Sequence, residues 1–550
     1  MYPMSRKRLV SRDLNPTLLT LPYEPYDYQA DAIVDIVGAF DDGVKVVVLE
    51  APTGSGKTLI AETVRRELET RACYVCHNKD LQTQFHGDFP YSKVLYGRDN
   101  YVPTDAPYKT TCRDCTWNPS TEKCLVCATG RQFCPYQQAK AAAVRSPVPV
   151  LNSAYWLTET QNQRSRFART GLVVFDEADT LEKVLMGQVE IFLSEATQLK
   201  YRIEPPKRLT IKKGYRVEKS YGDWAGHALD MIAEPLERLQ VLALGGEFSN
   251  PEQSRELARL EQLQTSISQM QADIAEDIPW VYTGGAGSAR RKGKELSFKP
   301  VKVDKFGQKR IWSKDKRFLL MSATIVSAGQ TMADLGWDGD YRFITVESQF
   351  HPRNRQVVVK PVVDMSRKGQ ETGGTRLRDR AGLTVSDIID RHDGERGVIH
   401  SVSYDLAKLL LPFCEQSRPG HCYSYTSSRE RAQAIAAFKA RPASLLVAPS
   451  VERGVDLPGE LCRFQIIAKV PYPNLGDLQV QERVYNTRDG NVWYNMQVAR
   501  TIMQMVGRGV RRQDDYCTCY IIDSQFMKWY KEWGHLLPKW FKRGIRIENE

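Results

Sequence analysis

The sequence lacks several features that would place it in a simple class. It contains no run of eighteen apolar residues, so we expect no membrane-spanning helix. The first ten residues carry Arg6, Lys7 and Arg8, but no apolar segment follows them, which argues against a secretory signal. We also find no internal repeat and no long low-complexity tract. These absences predict a globular protein of the cytoplasm, associated with the nucleoid if its source is a bacterium or a phage.

Cysteine is sparse outside one short segment. Five of the twelve cysteines lie within residues 112–134, and the other seven are spread over the rest of the chain. In a reducing compartment, clustered cysteines are more often metal ligands than disulfides. The chain has 550 residues, too many for one hydrophobic core, so three or four domains are expected. Its net charge of +11 favours a phosphate-bearing partner but identifies no function alone.

Three short apolar runs end in polar residues: Val44–Leu49, Gly171–Phe175 and Arg317–Met321. They predict buried parallel strands of an α/β sheet, in which ligands bind at the carboxyl ends. The first run leads into Ala51–Thr58, which fits the P-loop pattern except that Ala51 replaces the first glycine. The predicted nucleotide ligands in this loop are Thr53, Gly54, Ser55, Gly56, Lys57 and Thr58. Lys57 would reach the β- and γ-phosphates, and Thr58 would hold Mg²⁺.

Charged residues elsewhere complete the predicted ATP site. Asp176 and Glu177 follow the second strand, where a metal-binding Asp beside a water-polarising Glu is expected. Arg508 and Arg511 are three residues apart near the end of the chain, and arginines from a second lobe can stabilise transition-state charge. The alternatives for these pairs are an exposed acidic turn and a solvated basic face.

A second α/β unit is expected after about residue 351. Its candidate strands are Gly397–His400, Ser444–Ala448, Phe464–Ala468 and Tyr520–Asp523. Between the two units, apolar residues at helical spacing within residues 257–274, with residues 224–244 upstream, predict a helical hairpin. Residues 290–317 are rich in Lys and Arg, which fits either a flexible basic face or a strand-guiding surface.

These motifs give the chain a resemblance to the superfamily 2 helicases, and within them to the XPD/DinG group of iron–sulfur DNA helicases, over most of its length. Eight stretches carry this resemblance. Tyr28–Gln29 is similar to the group's glutamine before motif I, Ala51–Thr58 to motif I, Leu81–Phe85 to motif Ia and Asp176–Asp179 to motif II. Met321–Ile325 is similar to motif III, Val398–Tyr404 to motif IV, Ser450–Asp456 to motif V and Gln504–Arg512 to motif VI. Further stretches with the group's pattern are Cys134–Tyr136, Val150–Tyr155, Asp456–Glu460 and Lys469–Pro473. The resemblance adds Gln29, Asp456 and Gln504 to the predicted ATP site.

Two departures from the group's motifs leave other functions open. Asp179 stands where the group more often has His, and Arg453 stands where it usually has Glu. The stretch around Arg453 is more similar to DEAD-box RNA helicases. An RNA helicase is therefore one alternative to a DNA helicase. A nucleic-acid-binding scaffold that uses ATP only as a conformational switch is the other.

The resemblance implies a small domain that is held together by a metal centre. The five candidate ligands are Cys112, Cys115, Cys124, Cys127 and Cys134. Four thiolates can hold a 4Fe–4S cluster, and Cys115 is the doubtful member. Relatives often place their first cysteine where this chain has Val102. The Cys112 to Cys127 spacing also suits a zinc knuckle, so Zn²⁺ is the alternative metal.

The implied architecture is α/β: two RecA-like P-loop lobes with an inserted metal-cluster domain and a mainly helical arch. The predicted bounds are 1–97, 137–180 and 316–350 for lobe 1, 98–136 for the iron–sulfur domain, 181–315 for the arch and 351–550 for lobe 2. The resemblance implies ATP-dependent movement on single-stranded DNA, in the 5′→3′ direction, with unwinding of duplex. ATP, Mg²⁺ and a 4Fe–4S cluster are the expected cofactors. We expect a monomer acting on single-stranded or forked DNA, with replication or repair proteins as candidate partners.

Overall fold

Two seven-stranded sheets, all of whose strand pairs are parallel, form the frame of the molecule. The computed structural model describes residues 25–103, 111–113, 117–118, 123–124, 133–160, 165–206, 218–245, 251–283, 295–312, 316–427, 429–449, 457–510 and 514–548. Helices cover both faces of each sheet, and two RecA-like lobes of α/β class are confirmed. Among the described residues, no helix combines the length and apolar character needed to cross a bilayer.

The first lobe is built around the first sheet. Its helices are α1 Asp27–Asp41, α2 Lys57–Glu67, α3 Lys79–Asp88, α4 Pro135–Arg145, α5 Ser153–Thr160 and, far along the chain, α11 Ala328–Asp334. Its strands are β1 Val46–Glu50, β2 Ala72–Cys76, β3 Lys93–Val94, β6 Pro149–Asn152, β7 Leu172–Asp176, β11 Arg317–Ser322 and β12 Tyr341–Thr345. Their order across the sheet is β12-β1-β11-β7-β2-β6-β3.

Strand β1 shows why these apolar runs become central strands. Successive side chains of a strand point to opposite faces of the sheet. Accordingly, Val46 and Val48 enter one hydrophobic cluster, and Val47 and Leu49 enter the cluster on the other face. Both faces are covered, so an uninterrupted apolar run is required. The three predicted strands of this sheet are present, with ends that differ from the prediction by one or two residues.

The chain between β3 and β6 and the chain between β7 and β11 contain the inserted elements. The first insertion includes the short strands β4 Trp117–Asn118 and β5 Lys123–Cys124, which pair with each other. The second contains α6 Leu181–Val189, β8 Ile191–Leu193, α7 Glu195–Tyr201, α8 Glu218–Gly245, α9 Pro251–Ala275, β9 Trp280–Tyr282, β10 Leu296–Pro300 and α10 Asp304–Arg310.

The predicted helical hairpin in the second insertion is confirmed, because α8 packs along α9. Leu260, Ile267 and Met270 form the buried stripe of α9. An antiparallel sheet of order β8-β10-β9 was not predicted from the sequence. In the Lys- and Arg-rich segment, the described residues 296–310 hold the central strand β10 and helix α10, so the flexible-face interpretation is wrong for this part. The alternative of a strand-guiding surface stays a prediction.

The second lobe follows the same plan. Its helices are α12 Arg367–Arg391 (kinked at Gly374), α13 Tyr404–Ser417, α14 Arg431–Ala440, α15 Leu478–Asn486, α16 Gly490–Val506, α17 Gln525–Trp533 and α18 Lys539–Lys542. Its strands are β13 Val357–Val363, β14 Gly397–His400, β15 Cys422–Ser424, β16 Leu445–Ala448, β17 Phe464–Ile467, β18 Thr518–Asp523 and β19 Ile545–Ile547, in the sheet order β15-β16-β14-β17-β18-β13-β19. All four candidate strands of this unit are present.

Arg483 of α15 joins the second lobe to the first. Its side chain is fully buried and its guanidinium lies over the ring of Trp493, with 4.2 Å from the guanidinium carbon to the ring centroid. The guanidinium donates to Asp334, at 2.6 Å, and to Glu182 at the start of α6. Burial, followed by the nearby Glu182 carboxylate, raises the pKa of Asp334. One guanidinium thus neutralises two carboxylates from separate elements of the other half.

Replacing Arg483 with Ala should lower the thermal stability of the protein markedly. The change leaves two carboxylates without their cation, and breaking a buried ion pair in this way costs about 3–5 kcal/mol. We expect Asp334→Asn to be milder, since Asn keeps an oxygen for Arg483 and removes a buried charge beside Glu182. The measurement is the midpoint of thermal unfolding. Arg488→Ala, at an exposed position of the same region, is the matched control. An unchanged midpoint in Arg483→Ala would contradict the assignment.

Candidate active site

A large cleft lies between the carboxyl ends of the first sheet and the facing surface of the second lobe. Its volume is about 1230 Å³. The first lobe lines it with the loop after β1, the residues after β7 and β11 and the start of α1. The second lobe lines it with residues 355, 458–460, 503–504, 506–508, 510 and 540. Ligands of open α/β sheets bind at this edge, so the cleft is the candidate nucleotide site.

The predicted P-loop depends on glycine at two positions. Gly54 and Gly56 have φ angles of +82° and +75°, a region that side chains disfavour. Gly56 is constrained further, because a Cβ there would lie 2.2 Å from Nε2 of Gln29. The Gln29 amide donates to the carbonyl oxygen of Ser55 at 2.8 Å and accepts from the backbone N–H of Tyr26 at 2.8 Å. Gln29 therefore fixes the start of α1 against the P-loop.

Lys57 and Thr58 begin helix α2 and line the cleft together with Thr53. The Lys57 ammonium donates to the carbonyl oxygens of Ala51, at 3.1 Å, and Pro52, at 3.4 Å. The positive charge of Lys57 therefore lies against the backbone of the P-loop. The N-terminal end of a helix carries partial positive charge and N–H groups without helical partners, which suits a phosphate.

Asp176 and Glu177 stand at the end of β7, in the wall of the same cleft. Asp176 is buried, and its carboxylate accepts a hydrogen bond from the hydroxyl of Tyr74 at 2.9 Å. Burial raises the pKa of Asp176, although the Lys57 ammonium acts in the opposite direction. Glu177 has φ 52° and ψ 46°, a left-handed conformation that costs energy in a residue other than glycine. Strain of this kind clusters at functional sites.

Asp179 links this wall to the second lobe. One carboxylate oxygen accepts from the hydroxyl of Ser322, at the end of β11, at 2.6 Å. The other accepts from the side-chain amide of Gln504, in α16, at 2.9 Å. The same amide donates to the hydroxyl of Thr324 at 3.2 Å. The residues similar to motifs II, III and VI are thus joined by one hydrogen-bond network.

Arg508 lines the cleft from the second lobe, whereas Lys57 and Glu177 line it from the first. The two halves of the predicted ATP site therefore share one cavity. The other predicted arginine, Arg511, and the predicted ligand Asp456 lie outside the described residues.

The cysteine segment is described only in part. Cys112 and Cys134 are buried in one hydrophobic cluster that extends to the face of the first sheet. Cys115, Cys127 and the side chain of Cys124 lie outside the described residues. Among the described side chains, no group of three or more His, Cys, Asp or Glu residues could hold a metal ion. Two buried thiols fit a soft metal but do not complete a ligand set.

Two further polar contacts of the site were not predicted from the sequence. Arg500 is buried and donates to the carbonyl oxygens of Thr324 and Ile325, each at 3.2 Å. It precedes Gln504 by four residues on α16, and that spacing alone puts both on one helical face. Tyr74, which binds Asp176, gave no such signal, since its partner is 102 residues away.

Comparison with known proteins agrees with this geometry. Residues 389–544 match the family model of a helicase C-terminal domain, and residues 22–200 match that of the type III restriction enzyme res subunit. A probable ATP-dependent helicase of Methanocaldococcus jannaschii is 21% identical over 88% of this chain and 89% of its own. The ATP-dependent DNA helicase DinG of Photobacterium profundum is 23% identical over 55% of this chain and 45% of its own.

A solved XPD helicase structure shares the fold. It has a TM-score of 0.62 at 16% identity and covers 96% of this chain and 100% of its own. Both lobes of the present chain therefore match helicase domains in sequence or in fold. With the two parallel sheets and the cleft that they share, these matches identify the chain as a member of the superfamily 2 helicases of the XPD/DinG type, which are driven by ATP hydrolysis.

Proposed function

We propose that this helicase moves along single-stranded DNA in the 5′→3′ direction and unwinds forked duplex. The observation that carries the proposal is the cleft lined by Lys57 and Glu177 on one side and Arg508 on the other. A nucleotide held there touches both lobes, so its hydrolysis can change how they sit against each other. DNA as the track is supported by the relative that is named a DNA helicase.

Each predicted residue has a role in this proposal. Lys57 and the N–H groups of residues 53–58 bind the phosphates. Mg²⁺ held by Thr58 and Asp176 would draw charge from the β- and γ-phosphates. Glu177 orients the attacking water and accepts its proton. Arg508, together with Arg511, stabilises the charge that develops on the γ-phosphate.

The network around Asp179 transmits the state of the site to the second lobe. Gln504 of α16 donates to Asp179 of the first lobe, so movement of α16 away from that lobe would break this hydrogen bond. Arg500 holds the carbonyl groups of residues 324 and 325 from the same helix. A shift of α16 therefore changes contacts at motif II and motif III together. In this proposal that shift accompanies release of phosphate and moves the strand.

Glu177→Gln distinguishes a motor from an ATP-switched scaffold. We expect the variant to bind ATP normally and to lose turnover by about 100-fold or more, since general-base catalysis contributes about that factor. Strand unwinding should be lost with it. Glu237→Gln, on an exposed part of α8, is the matched control and should keep wild-type turnover. A scaffold would instead retain its full function in Glu177→Gln.

Stimulation of ATP hydrolysis by nucleic acid tests the track. We expect single-stranded DNA to stimulate turnover more than single-stranded RNA of the same length. In unwinding assays, duplexes with a 5′ overhang should be opened and those with a 3′ overhang should not. A preference for RNA would favour the alternative motivated by Asp179 and Arg453. Unwinding from 3′ overhangs would contradict the proposed direction.

We also propose that four of the cysteines Cys112, Cys115, Cys124, Cys127 and Cys134 hold a 4Fe–4S cluster. Support comes from the buried positions of Cys112 and Cys134 and from the family resemblance. A bound cluster would cross-link a segment too small to form its own core.

The visible spectrum of anaerobically purified protein tests the cluster. We expect a broad brown absorption band at about 400 nm, typical of thiolate-bound iron–sulfur centres. Cys134→Ser should lose the band, whereas Cys414→Ser, a buried cysteine of the second lobe, should keep it. A colourless protein that contains one equivalent of zinc would establish the alternative metal.

A further inference from the structure

Arg355 places a buried guanidinium at the nucleotide cleft, and the proposed roles in ATP binding and hydrolysis do not involve it. It lies between β12 and β13, is only 9% exposed and lines the cleft. Among the described residues, its Nε and Nη1 atoms have no hydrogen-bond partner. The guanidinium carbon lies 4.7 Å from the ring centroid of Trp540, which also lines the cleft. Buried donors normally have partners, so these two indicate a ligand.

The order of strands places Arg355 at one end of the cleft. Asp176 ends β7, the P-loop follows β1, and β12 lies on the other side of β1 from β7. All these strands run parallel, so their carboxyl ends follow the same order along the cleft. Glu347, two residues after β12, pairs with Arg543 at 3.4 Å, which brings the helix of Trp540 to this end. Arg355 is therefore separated from the Asp176 and Glu177 carboxylates by the P-loop.

The chemistry at this end suits a heteroaromatic ring. Burial lowers the pKa of Arg355 to about 10, so the guanidinium is still protonated at neutral pH. A guanidinium that stacks on an aromatic ring keeps its N–H groups in its own plane, where the ring nitrogens of a purine lying edge-on to it can accept them. The phosphates are expected further along the cleft, between the P-loop with Lys57 and the two carboxylates.

We propose that Arg355, supported by Trp540, binds the purine base of the nucleotide. The inference rests on the proposed ATP site and adds a base-recognition position contributed from the start of the second lobe. Arg355 lies just before β13 of the second lobe, and the P-loop belongs to the first, so a nucleotide bound by both contacts both lobes. The identity of the base then affects lobe closure as well as affinity.

The test separates binding of the base from binding of the phosphates. KM is measured for ATP, GTP, CTP and UTP, and inhibition of ATP hydrolysis is measured with inorganic tripolyphosphate, which has no base. Arg355→Ala should raise KM for ATP roughly tenfold, the usual effect of losing a hydrogen bond to a charged group. Inhibition by tripolyphosphate should stay at the wild-type value. Arg353→Ala, an exposed arginine two residues away, is the matched control and should change neither quantity.

Arg355→Lys provides a second variant that keeps the charge and the aliphatic stem over Trp540. It should also raise KM for ATP, because Lys lacks the planar fork of N–H donors that would reach the base. KM and the inhibition constant do not depend on the fraction of folded protein, so partial unfolding of a variant leaves both readable. Equal weakening of ATP and tripolyphosphate would make Arg355 a phosphate ligand and overturn the proposal, as would unchanged KM in both variants. A wild-type protein without ATP hydrolysis would instead refute the proposed function.

Discussion

The hydrogen bonds of Asp179 join the two halves of the candidate ATP site. One oxygen binds Ser322 of the first lobe and the other binds Gln504 of the second. Hydrogen bonds to a carboxylate are stronger than those between neutral groups, and Asp179 is only 6% exposed. The position where the XPD/DinG group more often has His is thus occupied here by a residue that accepts from both lobes. Asp176, three residues before it, is the last residue of β7.

Two buried arginines also join the lobes. Arg483 neutralises Glu182 and Asp334, and Arg500 binds the carbonyl groups that follow β11. Next to those carbonyls, the backbone N–H of Val326 donates to the Glu50 carboxylate at 2.8 Å, and Val326 itself has a φ of +68°. The backbone that directly follows motif III is therefore strained at Val326 and is held beside the P-loop strand, while α16 binds the carbonyl groups before it. Buried ion pairs of this kind are costly to desolvate, and their best-attested contribution is a defined geometry.

Both inserted segments pack against the first lobe. One hydrophobic cluster runs from Val46 and Val48 of β1 to Cys112 and Cys134, and on to the buried stripe of the α8–α9 hairpin. The face of the first sheet therefore packs, through this cluster, against residues of both inserted segments. The second insertion also contacts the second lobe directly, where Lys302 pairs with Asp489 at 3.0 Å and Val301 accepts from Gln479.

The sequence by itself determined the features that depend on local pattern. Apolar runs identified the central strands, glycine spacing identified the P-loop, and helical periodicity identified the α8–α9 hairpin, because each signal is complete within a few consecutive turns or residues. The resemblance to helicase motifs then located Gln504 and Arg508 in the same site as Lys57. The bounds of the predicted strands followed to within two residues, whereas α8 begins six residues before the predicted start of the hairpin.

Only the tertiary structure decided which distant residues meet. The pairs Tyr74 with Asp176, Arg483 with Asp334 and Arg355 with Trp540 join residues 102, 149 and 185 positions apart. The strands of the β8-β10-β9 sheet are three to five residues long, too short to show alternation. The N–H groups of Arg355 can be recognised as lacking partners only when the burial of its side chain is known. These features depend on chain path and close packing, which no local pattern of residues encodes.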